Sequence, residues 1–119
     1  MNISVFAGTY MNQESVEIMM RMIPETVEAQ IMVTKSYFRM IHYAMGHEVR
    51  LGVFNVWSES TLELAEHLKR LHPRMIMVFV AKNERYRKRS GRFADSFYFT
   101  GAVGDEQWSR VFEQMGLIR

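Results

Sequence analysis

Short apolar runs alternate with amphipathic segments along the whole of this 119-residue chain. Clear runs occupy residues 2–8 (NISVFAG), 49–56 (VRLGVFNV) and 74–81 (RMIMVFVA), and the last is almost continuously apolar. A run of that kind is typical of a strand that is buried on both faces of a parallel sheet. Residues 27–34 and 96–101 complete a set of five predicted strands. This alternation constrains the fold more strongly than any single motif in the chain.

The segments that follow the strands have the apolar spacing of helices, at i, i+3, i+4 and i+7. The predicted helical segments are 12–23, ended by Pro24; 36–46, closed by Gly46 as a C′ glycine; 58–72; 83–92, a short helix or loop; and 105–116. Ser60 and Glu63 are expected to form a capping box, and Asp105 is expected to be the N-cap of the last helix. The spacing of that helix directs Trp108 and Phe112 inward.

Strict strand–helix alternation with short connections implies right-handed crossovers, and therefore a parallel sheet covered by helices on both faces. Five such units fill the chain, and its 48% hydrophobic and 24% charged residues are typical of a globular protein. The predicted fold class is α/β: one domain over residues 1–119, a three-layer flavodoxin-like (βα)5 fold. Its five-stranded parallel sheet is expected to have the order 2-1-3-4-5.

Several kinds of chemistry are excluded by composition. The chain has no cysteine, which rules out disulfides, thiolate catalysis, cysteine-ligated zinc and iron–sulfur clusters. No apolar run approaches the ~18 residues of a membrane span and no secretion signal precedes the first strand, so a cytoplasmic location is expected. The four histidines lack ligand spacing and are expected at the surface or at helix caps: His42, His47, His67 and His72. We expect neither a metal nor a cofactor.

Positive charge is concentrated in one segment. Residues 82–92 contain six basic residues and one glutamate, a local charge of +5, whereas the rest of the chain has nine basic and twelve acidic residues. A mildly acidic body therefore carries one basic segment between the fourth and fifth strands. A solvated helix is the simplest interpretation, and an acidic protein partner is the functional one that we favour.

Residues 60–81 (STLELAEHLKRLHPRMIMVFVA) resemble the third helix and fourth strand of bacterial receiver domains, which share the (βα)5 layout. In that family an acidic pair after strand one holds Mg2+, and an aspartate at the end of strand three accepts a phosphoryl group. A hydroxyl ends strand four and a lysine ends strand five. The matching positions here are Ala7 to Thr9 after strand one, Asn55, Ala81 with Lys82, and Thr100 with Gly101.

None of these positions carries the carboxylates of the family, and the only aspartates of the chain are Asp95 and Asp105. The resemblance therefore implies a pseudo-receiver, a non-enzymatic signalling module that is not phosphorylated on aspartate. In receivers the fourth helix, fifth strand and fifth helix form the usual partner or dimer face. The residues expected there are Arg85, Tyr86, Arg87, Lys88, Arg89, Arg92, Tyr98 and Trp108. An acidic protein surface or a second copy of the chain is the expected partner.

Two other functions remain open from the sequence. Ligands of open α/β sheets bind at the carboxyl ends of the strands. A phosphate or nucleotide would there meet Thr9, Asn55, Lys82 and Thr100. Alternatively, residues 82–92 would bind nucleic acid phosphates while Tyr86 stacks on a base.

Overall fold

A computed structural model describes residues 1–6 and 13–117 of the chain, apart from the side chain of Val5. Its strands are β1 (Asn2–Phe6), β2 (Gln30–Thr34), β3 (Val49–Val56), β4 (Ile76–Ala81) and β5 (Ser96–Thr100). Every strand pair is parallel, and the order across the sheet is 2-1-3-4-5. The predicted flavodoxin-like topology is confirmed.

The helices are α1 (Gln13–Met22), α2 (Tyr37–Gly46), α3 (Glu59–Leu71), α4 (Arg87–Ser90) and α5 (Asp105–Gln114), with a 3-10 turn at Glu84–Tyr86 before α4. Helices α1 and α5 are neighbours on one face of the sheet, and α2 and α3 are neighbours on the other. In the described ranges, no helix combines the length and the apolar character that crossing a bilayer requires. The molecule thus has three layers, as the alternation predicted.

The two faces of β4 show how one apolar run serves two cores. Val78 and Val80 are buried against α1 and α5, whereas Met77 and Phe79 are buried against α2 and α3. Successive side chains of a strand point to opposite faces, so a strand covered on both sides must be apolar at every position. The continuous apolar character of residues 74–81 has this origin.

Three expected helix ends differ from the structure. Helix α3 begins at Glu59 after the extended Ser58, so Ser60 lies inside the first turn and the Ser60–Glu63 capping box is wrong. Gly104 is the N-cap of α5, and the Gln107 side chain accepts a hydrogen bond from its N–H at 3.0 Å. Asp105 is therefore the first helical residue rather than the cap.

Gly46 is the last residue of α2, and His47 is the C-cap. The glycines with positive φ in the described ranges are Gly101 and Gly116, so Gly46 does not supply a left-handed C′ position. The predicted ends of α2, α3 and α5 differ from the observed ends by only one or two residues. Helical periodicity predicts that a helix exists more reliably than it predicts where the last turn ends.

Candidate functional site

The carboxyl edge of the sheet is where an anion cleft was expected. The parallel register pairs Ala81 with Thr100, so Lys82 and Thr100 lie at the same edge and both are exposed. Asn55 is fully buried, and its Nδ2 donates to the carbonyl oxygen of Val80 at 3.2 Å. Thr9 lies outside the described residues. The structure therefore brings two of the four predicted residues to the surface of this edge and places Asn55 in the core.

A small cleft of about 260 Å3 does open at the ends of β3 and β4. Its lining consists of Val56, Trp57, Ala81, Lys82, Asn83, Arg85 and Tyr86. Trp57 is 37% exposed, and its ring packs against Phe6 with 5.0 Å between ring centroids. The ring of Tyr37 packs on Phe6 as well, at 4.7 Å. This aromatic cluster was not foreseen, although Trp57 directly follows a predicted strand.

The carboxylates that follow β3 and β4 at this edge, Glu59 and Glu84, pair with Arg89 and Arg87. Within the ranges that the structure describes, no group of three or more histidine, aspartate or glutamate side chains is placed to hold a metal ion. Asp95 comes just before β5, at the opposite end of the sheet, and Asp105 opens α5. Asn55 occupies the strand-three position at which a receiver carries its phosphoacceptor.

The basic segment after β4 is held in place by β5. Its 3-10 turn starts at Asn83, whose side-chain oxygen accepts from the N–H of Arg85 at 2.9 Å. The hydroxyl of Tyr98, in the middle of β5, donates to the carbonyl oxygen of Asn83 at 2.6 Å. The same hydroxyl accepts from the N–H of Tyr86 at 3.4 Å. These contacts fix the turn against the strand that follows it in sequence.

Arg87 adds a second link to β5. Its guanidinium forms an ion pair with Glu84 and lies 4.8 Å above the centre of the Tyr98 ring. Hydrogen bonding to Arg87 lowers the pKa of Glu84 below its ordinary value, and the same bond raises the pKa of Arg87. Partial burial raises the pKa of the Tyr98 phenol. Arg87 is thus part of the framework of this segment as well as part of its charge.

The other cations divide into two groups. Arg89 is paired with Glu59 at the start of α3, with 2.9 Å between nitrogen and oxygen. Arg85, Lys88 and Arg92 are exposed, and no carboxylate of the described residues forms an ion pair with them. Three positive charges are therefore presented to solvent by a segment that two ion pairs and a tyrosine hold in position.

Strand β5 is an edge of the sheet, and a cleft of about 470 Å3 runs along it. The cleft is lined by Arg87, Ser96, Phe97, Tyr98, Phe99, Thr100, Gln107 and Arg110. Arg110, which was not predicted, comes from α5 and is exposed. It lies three residues after Gln107, on the side of the helix away from the buried Trp108 and Val111. The amphipathic pattern of α5 places Arg110 on the exposed side of the helix, so the sequence could have identified it.

We call the surface formed by Arg85, Arg87, Lys88, Arg89, Arg92, Tyr98 and Arg110 the basic face. Trp108 does not belong to it, and its assignment to the partner surface is wrong. The side chain is fully buried between α5 and α1, and its Nε1 donates to the carbonyl oxygen of Ser15 at 3.1 Å. Tyr86 and Tyr98 are half-buried beneath the cations. The remaining predicted residues lie in the basic segment and on β5, which Tyr98 and Arg87 link to each other.

No protein-family model matches the sequence, and no curated protein matches it. Among solved structures, the chain resembles the pilus assembly protein CpaE from Caulobacter crescentus CB15, with a TM-score of 0.68. The match covers 96% of this chain and 98% of that chain at 15% sequence identity. At this identity the likeness shows a shared fold, the flavodoxin-like parallel sheet of order 2-1-3-4-5.

Proposed function

We propose that this protein is a receiver-like regulatory module, without enzymatic activity, that acts through protein–protein contact at its basic face. The observation that carries the proposal is the attachment of the basic segment to β5 by Tyr98 and Arg87. A solvated helix needs no such attachment, whereas a docking surface gains from cations that are already in position before a partner arrives.

The chemistry of the face suits an acidic protein surface. Exposed cations contribute mainly to the rate of association and to the choice of partner, because solvent screens each single ion pair. The β5 edge between Arg87 and Arg110 adds backbone donors and acceptors that a partner strand can use. CpaE, whose fold is similar, is described as a pilus assembly protein, and a role in a protein assembly is compatible with our proposal.

Signalling by this module does not depend on aspartyl phosphate. Asn55 is an amide, is fully buried, and donates to Val80, so it offers no carboxylate to a phosphodonor. We expect no mass increase when the protein is incubated with acetyl phosphate and Mg2+. A phosphoryl adduct mapped to an aspartate would contradict this part of the proposal.

Charge reversal tests the basic face directly. We expect the triple variant Arg85→Glu, Lys88→Glu and Arg92→Glu to lose the bound protein partner in affinity capture, because these cations are exposed and form no ion pair with a described carboxylate. Arg21, Arg50 and Arg74 are exposed cations elsewhere, and their triple change to glutamate gives a control of identical net charge. Equal capture by both triple variants would disprove the role of the face. Binding of single-stranded nucleic acid, lost only in the first variant, would favour the nucleic-acid alternative.

A second candidate function rests on the cleft at the ends of β3 and β4. Trp57 and Tyr86 line it beside Lys82 and Arg85, which is a combination that suits an aromatic anion such as a nucleotide. Thermal-shift measurements with nucleotides and sugar phosphates test this alternative. A stabilisation that is abolished by Lys82→Ala would favour it over the basic face.

A further inference from the structure

A second surface lies at the opposite edge of the sheet from β5, where α2 covers β2. Phe38 is 80% exposed, the largest exposed fraction among the bulky apolar side chains in the described ranges, and Val33 on β2 is 49% exposed. Met45 is 71% exposed and lies seven residues after Phe38, on the same stripe of α2. Ile31 packs with the core under α1 and α5, and Met32 packs with the core under α2 and α3, so Val33 points, like Ile31, away from α2. Exposed apolar side chains therefore flank the edge of β2 on both faces of the sheet, and such a group marks a contact surface.

Val33 and Phe38 border a groove of about 690 Å3 between the edge strand and the helix. It is lined by Ile31, Met32, Val33 and Thr34 from β2 and by Phe38, Arg39, His42, Tyr43, Gly46 and His47 from the helical side. At Gly46 the wall borders open space, since a Cβ placed there would have no neighbour within 4 Å. The groove is therefore an open channel rather than a closed cavity.

The helical wall of the groove is already rigid. The ring of Tyr43 stacks on the imidazole of His47, with 4.1 Å between centroids and 11° between planes. The hydroxyl of Tyr43 donates to the side-chain oxygen of Asn2 at 3.0 Å, which ties α2 to β1. A ligand that enters the groove does not have to order these side chains, so little entropy is lost there on binding.

The floor of the groove is an open strand edge. Among the strands that the structure describes, β2 pairs with β1 alone, and the N–H of Gln30 donates to the carbonyl of Met1. Because backbone groups alternate in direction along a strand, those of Ile31 and Val33 point away from β1. Unpaired groups of this kind are a template for a further strand.

The charge of the groove indicates which kind of peptide segment can bind there. Its lining includes Arg39 and two imidazoles but no carboxylate, and Lys35, in the connection before α2, is exposed. An acidic segment is complementary to this rim. A second copy of the chain, related by a two-fold axis, would bring the same cationic rim onto itself, which is unfavourable.

We propose that β2 and α2 bind an extended acidic segment of a protein partner, which adds to the sheet as a sixth strand beside β2. Its backbone pairs with Ile31 and Val33, its apolar side chains cover Val33 on the face away from α2, and its carboxylates face Arg39 on the α2 side. This surface lies at the other edge of the sheet from the basic face, so it does not depend on the function proposed for that face.

A synthetic octapeptide of alternating valine and glutamate is a direct probe. A slip of one residue lets either side-chain type face α2, so the peptide can find the favourable register. We expect saturable binding by fluorescence anisotropy, with amide shifts at Ile31 and Val33 in the NMR spectrum of the labelled protein. The matching valine–lysine peptide should bind at least tenfold more weakly. Absence of saturable binding to the glutamate peptide would overturn the proposal.

Two variants locate the site. Val33→Pro removes an N–H that points out of the sheet, a change that an edge strand tolerates, and should weaken peptide binding at least tenfold. Val33→Ala keeps that N–H and is its matched control. Phe38→Glu alters a side chain that is 80% exposed and should also weaken binding without affecting the fold. Unchanged binding in both Val33→Pro and Phe38→Glu, or dimerisation that only Val33→Pro abolishes, would refute the proposal.

Discussion

The hydroxyl of Tyr98 donates a hydrogen bond of 2.6 Å to the backbone carbonyl of Asn83, fifteen residues earlier in the chain. This bond connects the middle of the edge strand β5 to the second residue of the basic segment. Arg87 stacks on the same tyrosine ring from the solvent side. One tyrosine therefore holds both the start of the basic segment and the guanidinium of Arg87 against β5.

Removal of the Tyr98 hydroxyl should destabilise the protein measurably. We expect Tyr98→Phe to lower the free energy of unfolding by about 1 kcal/mol, because the Asn83 carbonyl loses its partner. Urea denaturation of Tyr98→Phe and of Tyr86→Phe gives the comparison. The Tyr86 hydroxyl has no hydrogen bond to another described residue, so the second variant should match the wild type. An equal loss in both variants would argue against the Tyr98–Asn83 link.

Alkaline pH should weaken the same link. Burial raises the pKa of Tyr98, so the folded protein favours the neutral phenol. The resulting stability is complete below the unfolded pKa of about 10 and is lost as pH rises through the higher folded value. We expect the free energy of unfolding to fall more steeply in the wild type than in Tyr98→Phe as pH rises above about 10. Parallel pH profiles for the two proteins would contradict this expectation.

The acid side of the pH profile reports on Glu84. Its pKa is lowered by the hydrogen bond from Arg87, so the stabilisation is present above the unfolded pKa and is lost as pH falls through the folded value. In an NMR titration of the side-chain carboxyl carbon, Arg87→Met should raise the titration midpoint of Glu84. Arg85→Met removes the same charge nearby without breaking the bond, and should leave the midpoint closer to that of the wild type.

Trp108 should behave as a core residue. Its side chain is fully buried and stacks near Phe112, with 6.3 Å between ring centroids. We expect Trp108→Ala to lower the free energy of unfolding by about 3–5 kcal/mol, since it removes a large buried ring and its bond to Ser15. Trp57→Ala is the matched substitution at a partly exposed tryptophan and should cost less. Chemical denaturation of both variants measures the difference, and equal costs would disprove the assignment.

Trp108 also shows which kind of sequence inference was sound. The helical spacing of residues 105–116 directs this side chain inward, and the structure places it there. The receiver resemblance assigned it to the partner surface, which was wrong. Spacing follows from the geometry of the helix itself, whereas an analogy transfers a surface without regard to which side of the helix each residue occupies.

The order of the strands and the alternation of the two cores followed from local patterns. Period-two burial in β4, as in Val78 and Phe79, requires only that the strand be covered on both sides. Short connections then allow few topologies for five parallel strands. Local periodicity and the length of each connection can both be read from the linear sequence, so this part of the fold was predictable.

The surfaces depended on contacts between residues that are distant in the chain. Arg110 and Arg87 line the same cleft because α5 and α4 lie on the two sides of one edge strand. Asn55 became a buried donor to Val80 because β3 lies at the centre of the sheet. Residue type and spacing carry the periodic pattern of each element, but the packing of separate elements decides which side chains meet and which remain exposed.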